Sequence, residues 1–241
     1  MGEQLRLRSR AGTGQHFLVP RLAADLVRNS GVTRGDLVVE IGAGTGVLTS
    51  ELAERAGRVV AVEIDGGLVA GLKRRFSADR HVRIVGCDVL DFRMPSEPFR
   101  VVANLPFGHT TAILRSLLDD PAVPLLRADL VVQWGTAVKR CSQRPSTLTT
   151  ISWAPWWELT ITRKLSPASF RPAPSCDCAV MTVTRRPDPL LDARSRDAFV
   201  RFVRDGFARR RDATDLDVWD WVQLFGSRDR ARRSFGVRDR D

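Results

Sequence analysis

Short apolar runs alternate with helical stretches along most of the chain, and this alternation limits its possible folds more than any other feature. The apolar runs are rich in β-branched residues and are predicted as strands; they cover residues 36–41, 58–63, 82–85, 100–103 and 129–133. Between them, apolar residues recur at helical spacing over residues 47–56, 68–76, 110–118 and 136–140. Runs that are apolar on both faces are typical of parallel strands covered by helices on each side. The pattern therefore predicts a doubly wound α/β sheet.

The remaining sequence predicts how the chain is organised around this sheet. Two later apolar runs, residues 158–164 and 179–184, have no clear helix between them and could close the sheet as an antiparallel pair. Beyond residue 186, two prolines interrupt the pattern, and amphipathic helices rich in Arg and Asp are expected at 198–211 and 216–224. We divide the chain into a basic N-terminal arm (1–13), an α/β domain (14–186) and a small helical domain (187–241).

The composition narrows the classes of partner. The 241 residues carry a formal net charge of +10, which favours a polyanion through counterion release and long-range attraction. No apolar run approaches the ~18 residues of a membrane span, and the charged N-terminus lacks the apolar stretch of a secretory signal. The four cysteines suggest neither a disulfide framework nor a set with metal-ligand spacing. We therefore expect no metal, no membrane partner and a cytoplasmic setting.

A glycine-rich loop follows the first predicted strand. It reads Glu40-Ile41-Gly42-Ala43-Gly44-Thr45-Gly46 and precedes a predicted helix. Glycines let the backbone turn tightly and approach a ligand without Cβ obstruction. The spacing differs from the G-x-G-x-x-G of a pyrophosphate cradle. The carboxylate of Glu40 would repel a pyrophosphate but would suit a ligand that carries an ammonium and a sulfonium group.

Two acidic residues stand at the ends of the next two predicted strands. Glu63 lies about 20 residues beyond the loop, where Rossmann-like folds place an acid that accepts hydrogen bonds from ribose hydroxyls. Asp88 ends the third strand on the same edge of the sheet, within reach of an adenine amine. With the loop, these acids indicate a nucleoside ligand with a cationic tail. The alternative is that both acids only cap helices or lie on the surface.

The fourth predicted strand leads into Asn104-Leu105-Pro106-Phe107, to which we assign a catalytic role. The side-chain oxygen of Asn104 and the carbonyl of Leu105 can hold the protons of an exocyclic purine amine and aim its nitrogen at a methyl group. Pro106 restricts the backbone so that the two acceptors converge. Phe107 offers a face on which a flipped-out base can stack, and such a stack returns about 1–3 kcal/mol. The alternative is an ordinary turn after a strand.

Several motifs occur in a specific order. They are Gly14-Gln15-His16-Phe17-Leu18, the loop from Glu40 to Gly46, Glu63-Ile64-Asp65, Asp88-Val89-Leu90, Asn104-Leu105-Pro106-Phe107 and Phe170-Arg171-Pro172-Ala173-Pro174. In this set the chain resembles the rRNA adenine N6-methyltransferases, a superfamily that includes the macrolide-resistance Erm enzymes and the KsgA-type small-subunit dimethyltransferases. It is more similar to the Erm branch in the residues that follow Phe107, in Val132-Gln133-Trp134 and in Pro155-Trp156-Trp157-Glu158. A KsgA-type enzyme and a non-catalytic nucleic-acid-binding protein on the same scaffold remain as alternatives.

The resemblance implies a seven-stranded methyltransferase sheet with a small C-terminal helical domain, and S-adenosylmethionine as methyl donor. It implies as substrate one adenine of 23S rRNA, whose N6-methylation blocks the binding of macrolides, lincosamides and streptogramin B. We expect a monomer that acts on 23S rRNA before ribosome assembly is complete. The motif positions and the residues discussed above together predict the contacts to the methyl donor. These contacts are expected at Gln15, His16, Leu18, Glu40, Gly42, Gly44, Glu63, Ile64, Asp88, Val89 and Asn104.

Basic residues outside these motifs are expected to contact RNA phosphates. They are Arg6, Arg8, Arg10, Lys139, Arg140, Arg144, Arg209, Arg210 and Arg211. For the last three, the alternative is an exposed helix face paired with aspartates. One departure from the family concerns His16, which stands where an Asn is usual. An imidazole there could make the affinity for the donor depend on pH near 6–7.

Overall fold

A computed structural model describes residues 16–142, 147–209 and 213–234, with only the backbone for residues 229–234. The strands are β1 (Phe17–Leu18), β2 (Leu37–Ile41), β3 (Arg58–Glu63), β4 (Val82–Gly86), β5 (Phe99–Asn104), β6 (Leu125–Gln133), β7 (Trp157–Leu165), β8 (Phe170–Arg171) and β9 (Cys178–Arg185). The helices are α1 (Pro20–Ser30), α2 (Val47–Arg55), α3 (Gly66–Arg75), α4 (Thr110–Leu118), α5 (Trp134–Cys141), α6 (Leu148–Trp153), α7 (Arg196–Arg209) and α8 (Val218–Ser234).

Seven strands form one sheet in the order β4-β3-β2-β5-β6-β9-β7. The strands from β4 to β6 in this order are parallel. β9 runs antiparallel to both of its neighbours, β6 and β7. The predicted seven-stranded, doubly wound sheet is confirmed, together with its antiparallel closure. The chain moves outward from β2 to β4 and then returns to the other side of β2 with β5, and ligands of such sheets bind at the carboxyl ends of the strands where the direction changes.

Alternate residues of the central strands enter two hydrophobic clusters, one on each face of the sheet. Val39 and Val101 belong to the cluster that contains α4, α6 and the C-terminal helices. Val38 and Val102 belong to the cluster that contains α1 and α2. Because successive side chains of a strand point to opposite faces, a run such as LVVEI supplies both clusters at once. This double burial is why the strands read as continuously apolar.

The C-terminal helices pack on the same core as the sheet. Phe199 and Val203 of α7 and Trp221 of α8 are buried members of the cluster that contains α4 and α6. The predicted C-terminal helical region is thus confirmed, although α7 begins before its predicted start at 198 and α8 continues beyond its predicted end at 224. The division into domains near residue 187 stays a prediction.

Three elements were absent from the sequence-based prediction: two short strands and one short helix. β1 and β8 form a separate antiparallel pair in which Phe17 lies opposite Arg171 and Leu18 opposite Phe170. The short helix α6 follows α5. β6 also begins earlier than predicted, because Leu126 is exposed and Arg127 is polar although both belong to the strand. Among the described residues, no helix has the length and apolar character needed to cross a membrane.

Candidate active site

The glycine loop lies at the carboxyl end of β2. Gly42, Gly44 and Gly46 have φ angles of 74°, 57° and 81°. These angles lie in the left-handed region, which costs other L residues about 1–2 kcal/mol. The Gly42 N–H donates to the Val62 carbonyl at 2.9 Å, which ties the loop to β3. A Cβ added to Gly44 would lie 2.7 Å from the Phe17 ring, so this position has no room for a side chain.

Glu63 ends β3 with its carboxylate turned toward backbone N–H groups. One oxygen accepts from the Gly44 N–H at 2.8 Å. The other accepts from the N–H groups of Ile64 and Asp65, each at 2.9 Å. The residue is buried, and its carboxylate joins the glycine loop to the end of β3. Glu63 is therefore held in one orientation by the fold itself.

Asp88 lies just beyond β4, which ends at Gly86 rather than at the acid as predicted. Its Oδ1 accepts from the Leu90 N–H at 2.9 Å, so the carboxylate begins a turn on the same edge as Glu63. Ile64 and Leu90 are 44% and 45% exposed at this edge, whereas Val89 packs against the large core cluster. The edge thus combines a carboxylate with exposed apolar side chains, as a nucleoside ligand requires.

Glu40 does not provide the negative charge that the sequence suggested. It is 1% exposed, and its carboxyl accepts a hydrogen bond from the Thr49 hydroxyl of α2 at 2.6 Å. Burial raises its pKa to about 8; the bond from Thr49 opposes this shift and the charge of Glu63 adds to it. Glu40 is mainly protonated at neutral pH, because burial disfavours the anion. The expected attraction between a Glu40 carboxylate and a cationic ligand is corrected accordingly.

Asn104 ends β5 beside the glycine loop. Its side-chain Nδ2 donates to the main-chain carbonyl of His16 at 2.6 Å. Its Oδ1 is buried and has no hydrogen-bond partner among the described residues. A Cβ on Gly42 would lie 3.7 Å from the Asn104 carbonyl oxygen and 3.8 Å from Pro106 Cδ, so the loop and the tetrapeptide adjoin. A buried hydrogen-bond acceptor without a partner costs free energy. Such an atom indicates a place where the N–H or O–H group of a ligand could donate a hydrogen bond.

The rest of the tetrapeptide is anchored on both sides. The Leu105 N–H donates to the Val131 carbonyl of β6 at 3.1 Å, and the Leu105 side chain is buried. Phe107 begins a short 3₁₀ turn and is half-buried. The His16 ring stacks on Phe107, with ring centroids 5.5 Å apart and an interplanar angle of 26°. His16 Nδ1 donates to the Pro172 carbonyl at 2.8 Å.

Comparison with known proteins identifies the family of this site. The ribosomal RNA adenine dimethylase family matches residues 6–215. The chain belongs to this family. An rRNA adenine N-6-methyltransferase of Bacteroides fragilis is 35% identical over 175 residues, which cover 72% of this chain and 66% of that relative. A ribosomal RNA small subunit methyltransferase A of Dehalococcoides mccartyi is 36% identical over 225 residues, which cover 88% of this chain and 75% of that relative.

A solved structure agrees with this assignment. The crystal structure of the 23S rRNA methyltransferase ErmE has a TM-score of 0.71 and 30% sequence identity, and the match covers 82% of each chain. The predicted resemblance to the Erm and KsgA superfamily is confirmed. The chain spans 66% of the length of the Bacteroides fragilis relative, slightly less than two thirds.

The expected RNA contacts of this family member fall into different environments. Lys139 and Arg209 are exposed. Arg140 is only 7% exposed, and its guanidinium lies over the Trp153 ring, 5.4 Å from the ring centroid. It also donates to the hydroxyl groups of three threonines, which are Thr111, Thr147 and Thr150. Arg140 is therefore corrected from a phosphate contact to a residue that joins α5 to α4 and to the start of α6.

The remaining expected site residues are either buried or outside the described part of the chain. Leu18 is buried in the core cluster of α1 and α2. Seven expected contacts lie outside the described residues, namely Arg6, Arg8, Arg10, Gln15, Arg144, Arg210 and Arg211. The roles assigned to these seven residues stay predictions.

Three neighbours of the site were missed by sequence reasoning. Phe17 covers Gly44, the Pro172 carbonyl holds the His16 ring, and Thr49 binds Glu40. Phe17 and Pro172 lie within the motifs already singled out, but the motifs do not reveal that the two segments pair. Thr49 could have been found as a polar residue on the buried face of α2, because a buried hydroxyl needs a hydrogen-bond partner.

Proposed function

We propose that this chain transfers a methyl group from S-adenosylmethionine to N6 of a specific adenine in 23S rRNA. The observation that carries the proposal is the buried Oδ1 of Asn104, which has no hydrogen-bond partner among the described residues and lies beside the glycine loop. This oxygen can accept a hydrogen bond from the N–H of an exocyclic amine. The adjoining glycine loop lets the methyl donor approach the backbone closely. Family membership and the carboxylates of Glu63 and Asp88 at successive strand ends support the same assignment.

The donor half of the site comprises Gly42–Gly46, Glu63 and Asp88. Gly42 lies exposed at the loop surface, where a backbone without Cβ lets a ligand approach. The oriented carboxylate of Glu63 would accept from ribose hydroxyls, and that of Asp88 from the adenine amine. When bound, S-adenosylmethionine would supply an electrophilic methyl group and leave as S-adenosylhomocysteine. The residues present fit this ligand, since Gly42 is exposed without a Cβ and the two carboxylates stand at successive strand ends.

The acceptor half comprises Asn104–Phe107 and His16. Asn104 Oδ1 and the Leu105 carbonyl accept the two protons of the adenine N6 amine and orient its nitrogen lone pair toward the donor half. Phe107 stacks on the flipped-out base and returns about 1–3 kcal/mol of the unstacking cost. The N6 proton leaves after the methyl transfer, so no strong general base is needed. Catalysis then depends mainly on alignment of the two halves.

The RNA surface and the choice of rRNA rest on broader evidence. The net charge of +10 and exposed cations such as Lys139 and Arg209 favour binding to the phosphate backbone. The 30% identity to the enzyme ErmE, which is named for 23S rRNA, supports the large-subunit substrate. Methylation at that site would confer resistance to macrolides, lincosamides and streptogramin B. We further propose a cytoplasmic monomer that acts before ribosome assembly is complete.

A KsgA-type activity on 16S rRNA is the second candidate. It is favoured by the 36% identity to a small subunit methyltransferase A over 88% of this chain. The two candidates share the same donor and acceptor chemistry and differ only in the RNA that is bound.

The test uses purified protein with S-adenosylmethionine and protein-free 23S or 16S rRNA in separate reactions. We expect N6-methylated adenosine in nuclease digests of 23S rRNA, one position by primer extension, and none in the matched Asn104→Ala reaction. Modification of 16S rRNA alone would replace the substrate assignment with the KsgA-type one. The absence of N6-methylated adenosine from both RNAs would overturn the proposed function. Drug sensitivity of a bacterium that expresses the chain then tests the resistance.

A further inference from the structure

The C-terminal end of α3 packs closely against the glycine loop. A Cβ added to Gly46 would lie 2.7 Å from Leu72 Cδ2 and 3.1 Å from Phe76 Cε2. Arg75, the last residue of α3, donates from Nη1 to the Thr45 carbonyl of the loop at 3.0 Å. Its guanidinium lies over the Phe76 ring, 5.3 Å from the ring centroid. The Arg75 side chain therefore connects α3 to an exposed part of the loop backbone.

The tip of the loop, Gly44-Thr45, is bound at both of its ends. At the first end, the Gly44 N–H donates to the Glu63 carboxylate at 2.8 Å. At the last end, the Thr45 carbonyl accepts the hydrogen bond from Arg75. Gly44 has a φ of 57°, and a glycine has a wider choice of backbone conformations than any other residue. Contacts from outside the loop are therefore needed to hold the tip in one conformation.

The conformation of the tip also affects the orientation of Glu63. One oxygen of the Glu63 carboxylate accepts from the Gly44 N–H, while the other accepts from backbone groups beyond β3. A change in the Gly44-Thr45 backbone would move or break the first of these bonds. The carboxylate would then lose part of what directs it toward the ribose hydroxyls. The bond from Arg75 thus acts on a residue that we assign to the ligand, without Arg75 touching the ligand.

We propose that Arg75 is a positioning residue for S-adenosylmethionine, which acts by holding the glycine loop in its binding conformation. A site that is ordered in advance does not lose this conformational entropy when the ligand binds. This inference deepens the proposed function and rests on it, since the ligand is the methyl donor of that function.

The positive charge of Arg75 would have the opposite effect on binding. S-adenosylmethionine carries a carboxylate, an ammonium and a sulfonium group, and therefore has a net positive charge. A nearby cation repels such a ligand. Loss of the Arg75 charge alone would therefore leave the affinity unchanged or increase it. A lower affinity can be assigned to the lost hydrogen bond.

The test uses the full chain and three variants. Arg75→Met keeps a long apolar side chain and removes the hydrogen bond together with the charge, whereas Arg75→Lys keeps a donor and the charge without the planar guanidinium. Arg74→Met is the matched control, because Arg74 is an exposed cation of the same turn and its side chain has no hydrogen bond or ion pair among the described residues. For each protein we would measure Tm, the Kd of S-adenosylmethionine by calorimetry, and amide hydrogen exchange.

We expect Arg75→Met to raise the Kd of S-adenosylmethionine about three- to tenfold, the range of one hydrogen bond. Tm should stay within about 2 °C of wild type, because Arg75 and Thr45 are both exposed. Exchange at the Gly44 and Gly46 amides should be faster in the free variant and should return to the wild-type rate at saturating ligand. Arg75→Lys should give an intermediate Kd, and Arg74→Met should bind at least as tightly as wild type.

An equal Kd in Arg75→Met and Arg74→Met would overturn the inference. So would unchanged exchange of the loop amides in free Arg75→Met, since the loop would then be ordered without this bond. A large fall in Tm with faster exchange throughout α2 and α3 would also overturn it, because Arg75 would then stabilise the fold in general. If the wild-type protein itself bound no S-adenosylmethionine, the proposed function would fail, whereas differences confined to the variants concern Arg75 alone.

Discussion

Glu63 lies in the half of the site assigned to the methyl donor, and Asn104 lies in the half assigned to the target base. Each residue ends a strand in the parallel part of the sheet. Their side-chain oxygens differ in how many hydrogen bonds they accept from the rest of the protein. The Glu63 carboxylate accepts three backbone N–H groups. The Asn104 amide uses its NH₂ group within the protein and leaves a buried Oδ1 without a described partner. Glu63 therefore contributes to the fold as well as to a ligand site, whereas Asn104 Oδ1 has no structural task. For these two residues, the hydrogen bonds that the fold already supplies, rather than the residue type, distinguish the two roles.

The largest effect is expected at the unpaired atom. Asn104→Ala should lower the single-turnover rate of methyl transfer by about 100-fold or more, because the amine loses the acceptor that aligns it. RNA affinity should stay within about twofold, because most RNA binding comes from phosphate contacts elsewhere on the protein. The measurement is single-turnover transfer to 23S rRNA at saturating donor.

Gln133→Ala provides the control for Asn104, because Gln133 is an amide at the end of the neighbouring strand and its Nε2 donates to Cys176 Sγ at 3.4 Å. It should retain most of the wild-type rate. A rate in Asn104→Ala above about a tenth of wild type would contradict the role of Oδ1 in alignment.

At Glu63, whose carboxylate already accepts hydrogen bonds from the backbone, we expect a smaller effect on the rate of methyl transfer and a clear effect on the binding of S-adenosylmethionine. Glu63→Gln keeps the size of the side chain and removes its charge, so hydrogen bonds to a charged acceptor are weakened. The donor Kd should rise about 10- to 100-fold, and Tm should fall because three backbone N–H groups lose an ionised partner. Calorimetry with S-adenosylmethionine measures the first change and thermal unfolding the second. If Glu63→Gln instead lowered kcat at saturating S-adenosylmethionine and left the Kd of S-adenosylmethionine unchanged, Glu63 would act in the chemical step as Asn104 does. The proposed difference between the two halves would then be wrong.

The sequence predicted those parts of the molecule that depend on local patterns. Doubly buried strands, the glycine loop, Glu63 and the tetrapeptide are each encoded in a few consecutive residues, and the parallel sheet brings them to one edge. The β1–β8 pair was not predicted, because strands of two residues carry no periodic signal and their partners are far apart in sequence. The contact of His16 with Phe107 depends on that pair and was missed with it.

The sequence alone also did not predict the protonation state or the exposure of individual charged residues. Glu40 precedes the loop as an acid, but its protonation follows from burial and from Thr49 on a helix that packs across the strand. Lys139 and Arg140 are adjacent cations, yet successive helix residues point about 100° apart, so one is exposed and the other buried. In both cases tertiary packing decides what the residue type leaves open.

Glu40 allows a test of pairing through pH. The folded protein holds the Glu40 proton up to a pKa of about 8, whereas the unfolded chain releases it near 4.5. The unfolded state then binds fewer protons between these values, so this group makes stability fall as pH rises from 4.5 to 8. Glu40→Gln removes the titration and should flatten this decline; the two pKa values imply roughly 3–4 kcal/mol between pH 5 and pH 8, or a difference on the order of 10 °C in the change of Tm. Parallel Tm profiles for wild type and variant would show that Glu40 titrates normally.

The adjacent cations of α5 extend the comparison to RNA, with the smallest expected effects. Arg140→Ala should destabilise the protein by about 2 kcal/mol, because the threonine hydroxyls through which α5 contacts α4 and α6 lose their shared donor. It should leave the salt dependence of RNA binding unchanged. Lys139→Ala should leave Tm unchanged and lower the slope of log Kd against log salt by about 1, as expected for one phosphate contact. Thermal unfolding measures the change in stability, and RNA titrations between 50 and 200 mM salt measure the slope. Over this range of salt, about 6–10 phosphate contacts give a large change in RNA affinity. A shallower slope in Arg140→Ala would mean that the guanidinium leaves its threonines to bind RNA, and pairing within the protein would then fail to separate structural cations from those that bind substrate.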